Sequence, residues 1–284
     1  MMLELAVGDA YGAGFEYATD NITRLNDLSN YVKHPKHYIL PGHYTDDTQM
    51  SIAIAEVITS GLEWTPLNLA THFVEAFKRD PREGYAGSFY SFLQQVHDGA
   101  EFLAKIIPDS DKSGAAMRAI PVGIFPTIEE VIEKSKIQAA ITHNTPDGIQ
   151  AATAAALMSH YFIYHLGPKA ELGQFLEQHV PNSHTWSKPY VGKVKSKGWM
   201  SVQAAITAVM RNDRMSRLLK DCIAFTGDVD TVATIALGAA CNCQEITQDL
   251  PPQLIDMLEN GPYGKDYLIS LDAKLAEIIQ KHHH

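Results

Sequence analysis

The stretch Tyr44-Thr45-Asp46-Asp47-Thr48-Gln49-Met50 follows a loop marked by Pro41 and Gly42, and it opens the apolar run Ser51 to Ile58. Two adjacent carboxylates and a hydroxyl therefore stand where a helix begins. The first turn of a helix exposes backbone N–H groups, and the helix dipole favours negative charge there. The stretch predicts a helix over residues 47–60 that starts with a cluster of oxygen atoms.

A second acidic helix start lies far downstream, in Thr226-Gly227-Asp228-Val229-Asp230-Thr231, before the apolar run Val232 to Ala240. N-capping alone would explain either stretch, because Asp and Thr are common caps. A cap needs one oxygen, however, and each stretch supplies two carboxylates and a threonine. Asp228 and Asp230 would lie about 200° apart on a regular helix, but a turn at Gly227 lets both face one ion. We interpret the rest of the chain as a scaffold that brings the two starts together around a cation, since four carboxylates would otherwise repel one another.

Composition limits the class of protein. The chain has 284 residues, of which 45% are hydrophobic, enough for one large core or at most two small domains. The net charge of −10 and the absence of a Lys/Arg run argue against a nucleic-acid surface. No apolar stretch reaches membrane-spanning length. Three cysteines in or beside apolar runs predict reduced core thiols in a cytoplasmic protein. We also expect a monomer.

Helical periodicity dominates the chain and predicts an all-α fold. Helices are expected at 47–60, 66–78, 84–96, 113–125, 127–143, 145–164, 200–210, 215–224, 231–240 and in two segments after Pro251. A short strand is possible at His37 to Leu40, Asn21 to Gly42 is interpreted as a long functional or mobile loop, and 180–198 as irregular. Ala- and Gly-rich helix faces indicate close helix packing around a buried site.

The N-terminal segment carries Gly8-Asp9-Ala10 and Gly12-Ala13-Gly14-Phe15-Glu16. Its small residues predict that the backbone approaches another element closely. Glu16 stands in an otherwise apolar setting, where a surface carboxylate and a functional one are equally good interpretations.

Oxygen-only ligands suit hard cations, namely magnesium, manganese or calcium, and the scarcity of nearby Cys and His disfavours zinc. An EF-hand is excluded because position six counted from Asp228 is Ala233 instead of glycine. Prenyl-diphosphate synthases also carry paired aspartates in helices, but the further acidic residues that they need are missing here. His97-Asp98 resembles an HD phosphohydrolase motif; we interpret it as a helix-end histidine followed by a turn at Gly99.

Two further positions could contact a ligand. Ser113-Gly114-Ala115-Ala116 precedes a helix and could cradle a phosphate on its backbone N–H groups. His143 follows Ile141-Thr142 and is either a helix-end residue or a ligand contact.

Taken in order, these stretches resemble the ADP-ribosylglycohydrolases, a family that includes dinitrogenase reductase-activating glycohydrolases and ADP-ribosylarginine and ADP-ribosylserine hydrolases. The resemblance extends from Leu3 to about Leu275. Its most specific part is the pair Thr-Asp-Asp-Thr and Gly-Asp-x-Asp-Thr. The resemblance implies an orthogonal multi-helix bundle forming one domain over residues 1–281. The three histidines at 282–284 are interpreted as the remnant of an expression tag.

The resemblance also implies a binuclear magnesium or manganese centre. Thr45, Asp46 and Asp47 match the first group of metal ligands, and Asp228, Asp230 and Thr231 match the second. Glu16 matches an acidic residue that lies on a mobile flap in part of the family. The segments that match the lining of the ADP-ribose cleft contribute Tyr85, Gly87, Ser88, Ser113, Gly114, Ala115, Met117 and His143. The sequence departs from the family pattern at Lys112 and Ser113, where glycine and asparagine are usual, and at Thr226, which replaces a glycine.

The implied activity is hydrolysis of the glycosidic bond at the anomeric carbon of ADP-ribose, with Asp47 or Glu16 as the base. The expected partner is an ADP-ribosylated protein or a small molecule that contains ADP-ribose. The alternative is a non-catalytic ADP-ribose-binding protein, which the intact set of aspartates disfavours.

Overall fold

Helices make up the framework of the protein. The computed structural model describes residues 1–181 and 183–282, and these ranges contain isolated β-bridges but no β-strand. The helices are α1 (Met2–Ala13), α2 (Thr19–Leu25), α3 (Asp46–Ser60), α4 (Pro66–Arg79), α5 (Gly87–Gln95), α6 (Gly99–Lys105), α7 (Gly114–Met117), α8 (Ile128–Ala140), α9 (Pro146–Ile163), α10 (Leu172–His179), α11 (Gly198–Arg211), α12 (Met215–Ala224), α13 (Val229–Ala240), α14 (Pro252–Met257) and α15 (Lys265–His282). Two 3-10 helices, Ile120–Ile124 and Lys169–Glu171, complete them. The all-α prediction is confirmed.

Threonine caps set the starts of four of these helices. Thr45, Thr65, Thr127 and Thr145 each accept a hydrogen bond from a backbone N–H of the first turn, at the starts of α3, α4, α8 and α9. Such caps satisfy N–H groups that have no partner within the helix. Capping and apolar periodicity together explain why these helices begin where the sequence predicts.

Glycines on α1 let it lie directly against α13. A Cβ atom added to Gly8 would stand 2.6 Å from the Ala233 carbonyl oxygen, and one added to Gly12 would stand 2.4 Å from Asp230 Cα. Only glycine permits backbones to approach so closely. The predicted close approach is confirmed, and it places α1 beside the acidic start of α13.

The centre of the bundle is formed by helices that are buried on all sides. Every residue of α13 is buried, and so is nearly all of the alanine-rich α9, which packs against α8 and α11. Helices that are apolar all round belong in the interior, and small side chains allow them to pack closely. None of the described helices combines the length and apolar character that crossing a bilayer requires.

The segment predicted as a long loop is only partly irregular. Its first residues belong to α2, and the remainder is fastened to the core by buried side chains. The Leu28 N–H donates to the Tyr11 hydroxyl at 3.0 Å, and the Tyr31 hydroxyl donates to the Leu254 carbonyl at 2.7 Å. The prediction missed α2, and the possible strand at His37–Leu40 is wrong, since no strand occurs in the described ranges.

Three other sequence predictions need correction. The helix expected over 113–125 is divided into α7 and the 3-10 helix, in which Pro121 occupies one of the first two positions. The expected turn at Gly99 is instead the start of α6, whose N-cap Asp98 accepts from the Glu101 N–H at 2.8 Å. The prediction also omitted α10. His283 and His284, assigned to a tag remnant, lie outside the described residues.

Candidate active site

The first acidic helix start is placed as predicted. Thr45 caps α3, and its hydroxyl accepts from the Asp47 N–H at 3.3 Å. Asp47 is buried and Asp46 is half-buried. Both carboxylates therefore stand in the first turn of α3, where the helix dipole favours negative charge.

Asp9 of α1 stabilises this helix start through four hydrogen bonds. One of its oxygens accepts from the Thr45 N–H, the Thr48 N–H and the Thr48 hydroxyl at 2.9, 3.0 and 2.6 Å, and the other accepts from the Thr45 hydroxyl at 2.8 Å. Burial raises the pKa of Asp9, although all four donors favour the ionised form. The motif Gly8-Asp9-Ala10 did not by itself indicate this role. Its signal was a carboxylate within an apolar helix, which requires a buried partner.

The second acidic helix start depends on a tight backbone turn before α13. Thr226 and Gly227 have φ values of +65° and +93°, and a Cβ atom on Gly227 would stand 1.8 Å from the Val194 carbonyl oxygen. Hydrogen bonds from the Val194 N–H to Thr226 and from the Asp228 N–H to Val194 hold the turn, at 3.0 and 3.2 Å. The predicted turn at Gly227 is confirmed, and it aims Asp228 and Asp230 to the same side.

The two helix starts meet in one carboxylate cluster, formed by Glu16, Asp46, Asp47, Asp228 and Asp230. One carboxylate oxygen each from Glu16, Asp228 and Asp230 lie within 4.8 Å of one another. Helix α3 contacts α13, and the charge of Asp228 at the start of α13 acts on Asp47 in the first turn of α3. The prediction that the scaffold brings these stretches together is confirmed.

Burial and mutual repulsion disfavour negative charge in the cluster. Burial, followed by the charge of Glu16, raises the pKa of Asp228 to about 7. The pKa of Asp47 and that of Asp230 are also raised, first by burial and then by neighbouring carboxylates. Asp47 Oδ2 and Asp230 Oδ1 are buried without a hydrogen-bond partner. Buried carboxylate oxygens without donors are the ligands that a hard cation requires, so this donor set fits a metal ion.

A cleft of about 760 Å³ opens above the cluster. Its lining includes most of the predicted site residues, namely Glu16, Asp46, Asp47, Tyr85, Ser88, Ser113, Gly114, Met117, His143, Asp228, Asp230 and Thr231. Three predicted residues do not line it. Thr45 and Ala115 are buried, and Gly87 has open space beside its Cα atom.

The α5 region and the start of α7 both line the cleft. The Tyr85 hydroxyl donates to Gln49 Oε1 at 2.6 Å, which fixes the ring beside the cluster. Phe89 and Phe92 of α5 continue this apolar side as a stacked pair, with ring centroids 5.9 Å apart. Flat apolar surfaces of this kind suit a stacked base or another planar group.

His143 presents a neutral hydrogen-bond donor to the cleft beside the start of α7. The Arg118 guanidinium donates to the Thr142 hydroxyl at 2.8 Å. His143 Nδ1, 2.7 Å from that hydroxyl, is the one acceptor that the described residues offer the hydroxyl proton, so Thr142 donates to it. The Nε2 atom then carries the ring proton, and it lies beside Gly114, where an added Cβ would be 3.2 Å away. Burial, reinforced by the nearby Arg118 charge, lowers the pKa of His143 to about 3. The sequence could not reveal Arg118 and Thr142 as the groups that orient this ring.

Fold and site together define an all-α protein with an acidic cleft that could hold a metal ion. A family model described as ADP-ribosylglycohydrolase matches residues 1–284, and the chain belongs to that family.

Known relatives agree with this membership. ADP-ribosylhydrolase ARH3 of Xenopus tropicalis is 25% identical over 298 residues, a match covering 84% of this chain and 84% of that protein. The ADP-ribosyl-dinitrogen reductase glycohydrolase of Rhodospirillum rubrum is 26% identical, over 90% of this chain and 88% of its own. A solved structure described as an ADP-ribosylglycohydrolase-related protein complex shares the fold, with a TM-score of 0.72 and 20% identity over 98% of this chain and 96% of its own.

Proposed function

We propose that this protein is a metal-dependent hydrolase that removes ADP-ribose from a modified protein or a small-molecule acceptor. The bond cleaved is the glycosidic bond at the anomeric carbon of the ribose. The observation that carries the proposal is the convergence of Glu16, Asp228 and Asp230 within 4.8 Å, beside unpartnered oxygens of Asp47 and Asp230. Family membership supplies the substrate class.

The metal ligands of the proposal are oxygen atoms only. Thr45, Asp46 and Asp47 would form one ligand group, and Asp228, Asp230 and Thr231 the other, around two magnesium or manganese ions. The Thr45 hydroxyl donates its proton to Asp9, which leaves an oxygen lone pair for a cation. Bound there, the ions would orient the ribose hydroxyls and lower the pKa of a water molecule.

ADP-ribose would lie along the cleft between the α5 region and the start of α7. Tyr85 and Ser88 would contact it from one side, and Ser113, Gly114 and Met117 from the other. His143 would donate from Nε2 to an oxygen of the ligand. Gly87 and Ala115 do not line the cleft, so we propose that they act through the conformation of their segments.

The proton acceptor of the reaction would be Asp47 or Glu16. Asp47 is 3% exposed and has one oxygen without a hydrogen-bond partner. Glu16 has a side chain that is 21% exposed, which gives it access to a water in the cleft. Either carboxylate could take a proton from the attacking water while neighbouring carboxylates stabilise positive charge on the anomeric carbon.

The test is incubation with a set of ADP-ribosylated substrates, with magnesium, with manganese and with EDTA. The set should contain ADP-ribosylarginine and ADP-ribosylserine peptides and O-acetyl-ADP-ribose. We expect release of ADP-ribose from at least one substrate, only in the presence of metal, and no release by Asp230→Asn. Tight binding of ADP-ribose without release from any substrate would overturn the hydrolase proposal in favour of a binding protein.

A further inference from the structure

We propose that His34 is a positioning residue that orients Glu16 toward the carboxylate cluster. The proposal rests on the function proposed above, because it assigns a role within that same site. His34 lies in the irregular segment after α2 and was not singled out by any motif. In the structure, its ring contacts the Glu16 carboxylate.

The hydrogen bonds around the ring determine its tautomer. His34 Nδ1 accepts from the Lys36 N–H at 3.0 Å and from the His37 N–H at 2.9 Å. Backbone N–H groups can only donate, so Nδ1 carries no proton and the ring proton is on Nε2. Nε2 lies 2.7 Å from Glu16 Oε2, and it therefore donates to that carboxylate.

This hydrogen bond opposes the repulsion that acts on Glu16. The carboxylate lies within 4.8 Å of Asp228 and Asp230, and like charges at that distance favour its rotation into solvent. A donor to one oxygen of Glu16 holds the side chain in place and leaves the other oxygen free. The His34 side chain is only 1% exposed, so water does not compete for the bond from the ring side.

The ring itself is held by the surrounding chain. Val32 is pressed against the end of α1, since a Cβ atom on Gly14 would stand 2.5 Å from the Val32 carbonyl oxygen. The backbone N–H groups of Lys36 and His37 hold the ring at Nδ1, and they do not depend on the side chain at either position. The segment thus places an imidazole donor at a fixed position next to Glu16. Partners that orient a ligand or a base in this way usually change metal affinity or activity by about 10- to 100-fold when they are removed.

Two substitutions test the two nitrogen atoms of the His34 ring separately. In His34→Asn the side-chain oxygen can still accept near the Nδ1 position, but the donor to Glu16 is lost. In His34→Gln the amide nitrogen reaches the Nε2 position and can still donate to Glu16. His37→Asn is the matched control, because it removes a neighbouring imidazole that does not contact Glu16.

Turnover of the best substrate and Mn²⁺ affinity without substrate, by titration calorimetry, are measured for each variant. We expect His34→Asn to lower kcat by about 10- to 100-fold with little change in KM, while His34→Gln and His37→Asn stay within about threefold of the parent protein. Mn²⁺ affinity should fall in His34→Asn and stay near the parent value in His34→Gln, because Glu16 lies within 4.8 Å of Asp228 and Asp230. Equal losses in the two His34 variants, or none in His34→Asn, would overturn the proposal.

A spectroscopic measurement on the unmodified protein removes any dependence on folding of the variants. The ¹⁵N chemical shifts of the His34 ring should show the proton on Nε2, and a proton on Nδ1 would overturn the proposal directly. If the parent protein hydrolyses no substrate in the set, the proposed function fails, but the tautomer and the Mn²⁺ affinities still test His34 by themselves.

Discussion

Asp9 and Asp47 are both buried aspartates of the site, but their hydrogen bonding is opposite. Asp9 accepts four hydrogen bonds, whereas one oxygen of Asp47 accepts none. We expect Asp9→Asn to destabilise the protein by about 3 kcal/mol, because an amide NH2 would face donors that have no other partner. Asp47→Asn is the matched comparison. It removes a repelled charge, so stability without metal should stay within about 1 kcal/mol or rise, while turnover is lost.

Urea denaturation in EDTA measures both variants. Equal destabilisation by the two substitutions would contradict the distinction between a supporting carboxylate and a ligand. Normal turnover of Asp47→Asn would contradict its assignment to the metal group.

His143 makes stability depend on pH through burial of its neutral ring. Its pKa is lowered from 6.5 to about 3, so the stability that the neutral ring contributes is complete above pH 6.5 and is lost as pH falls toward 3. At pH 5 the protonation of His143 should lower the free energy of unfolding by about 2 kcal/mol. We expect His143→Gln to lose less stability than the parent protein between pH 7 and pH 5, measured by denaturation at each pH. Parallel losses in the two proteins would show that His143 does not titrate below its ordinary range.

Thr226 adopts a left-handed backbone conformation, with φ of +65°, directly before Gly227. A β-branched residue is strained there, and glycine is not. We expect Thr226→Gly to raise the free energy of unfolding by about 1 kcal/mol and the melting temperature by about 2 °C. Thr226→Ala keeps a Cβ atom and should gain less. A melting temperature lowered by Thr226→Gly would show that the threonine side chain contributes more than its strain costs.

At the scale of elements, local sequence patterns predicted the positions of most helices but not which helices pack against one another. Four helix starts carry a capping threonine, and a cap is encoded within a few residues. These caps are Thr45, Thr65, Thr127 and Thr145. The short helices α6 and α10 were missed, since seven or eight residues carry too little periodicity to stand out. The contacts of Asp9 and His34 could not be predicted from the sequence, for another reason. Their partners lie on other elements, and one sequence does not record such pairings.

The contact between α1 and α13 can be tested through its glycines. We expect Gly12→Ala to destabilise the protein by about 3 kcal/mol, because the new methyl would stand 2.4 Å from Asp230 Cα and force the helices apart. Metal affinity should fall as well, since Asp230 would move. Gly87→Ala is the control, as nothing lies within 4 Å of the added atom. Thermal melting with and without Mn²⁺ measures both, and an unperturbed Gly12→Ala protein would contradict the close packing.

At the scale of the whole molecule, the proposed site makes ligand binding depend on metal. ADP-ribose at about 100 times its dissociation constant should add about 2.7 kcal/mol of stability by mass action. For a protein of this size that is a rise of several degrees in melting temperature, about 5 °C at most. We expect the rise with magnesium or manganese but not with zinc or EDTA, because the ligand set offers oxygen atoms only. An equal shift in EDTA would show that ADP-ribose binds without the carboxylate cluster.

The close contact of α1 with α13 also has a consequence for how the chain is made. Asp46 and Asp228 are 182 positions apart, so the carboxylate cluster cannot exist until the residues between them have been synthesised. Until then the glycine face of α1 has no partner, and contacts between such distant segments form slowly. A nascent chain that ends before Asp228 therefore lacks the carboxylate cluster, and a cation bound at the proposed site would stabilise only the last stage of folding. The protein would become active only when α13 docks against α1, late in folding.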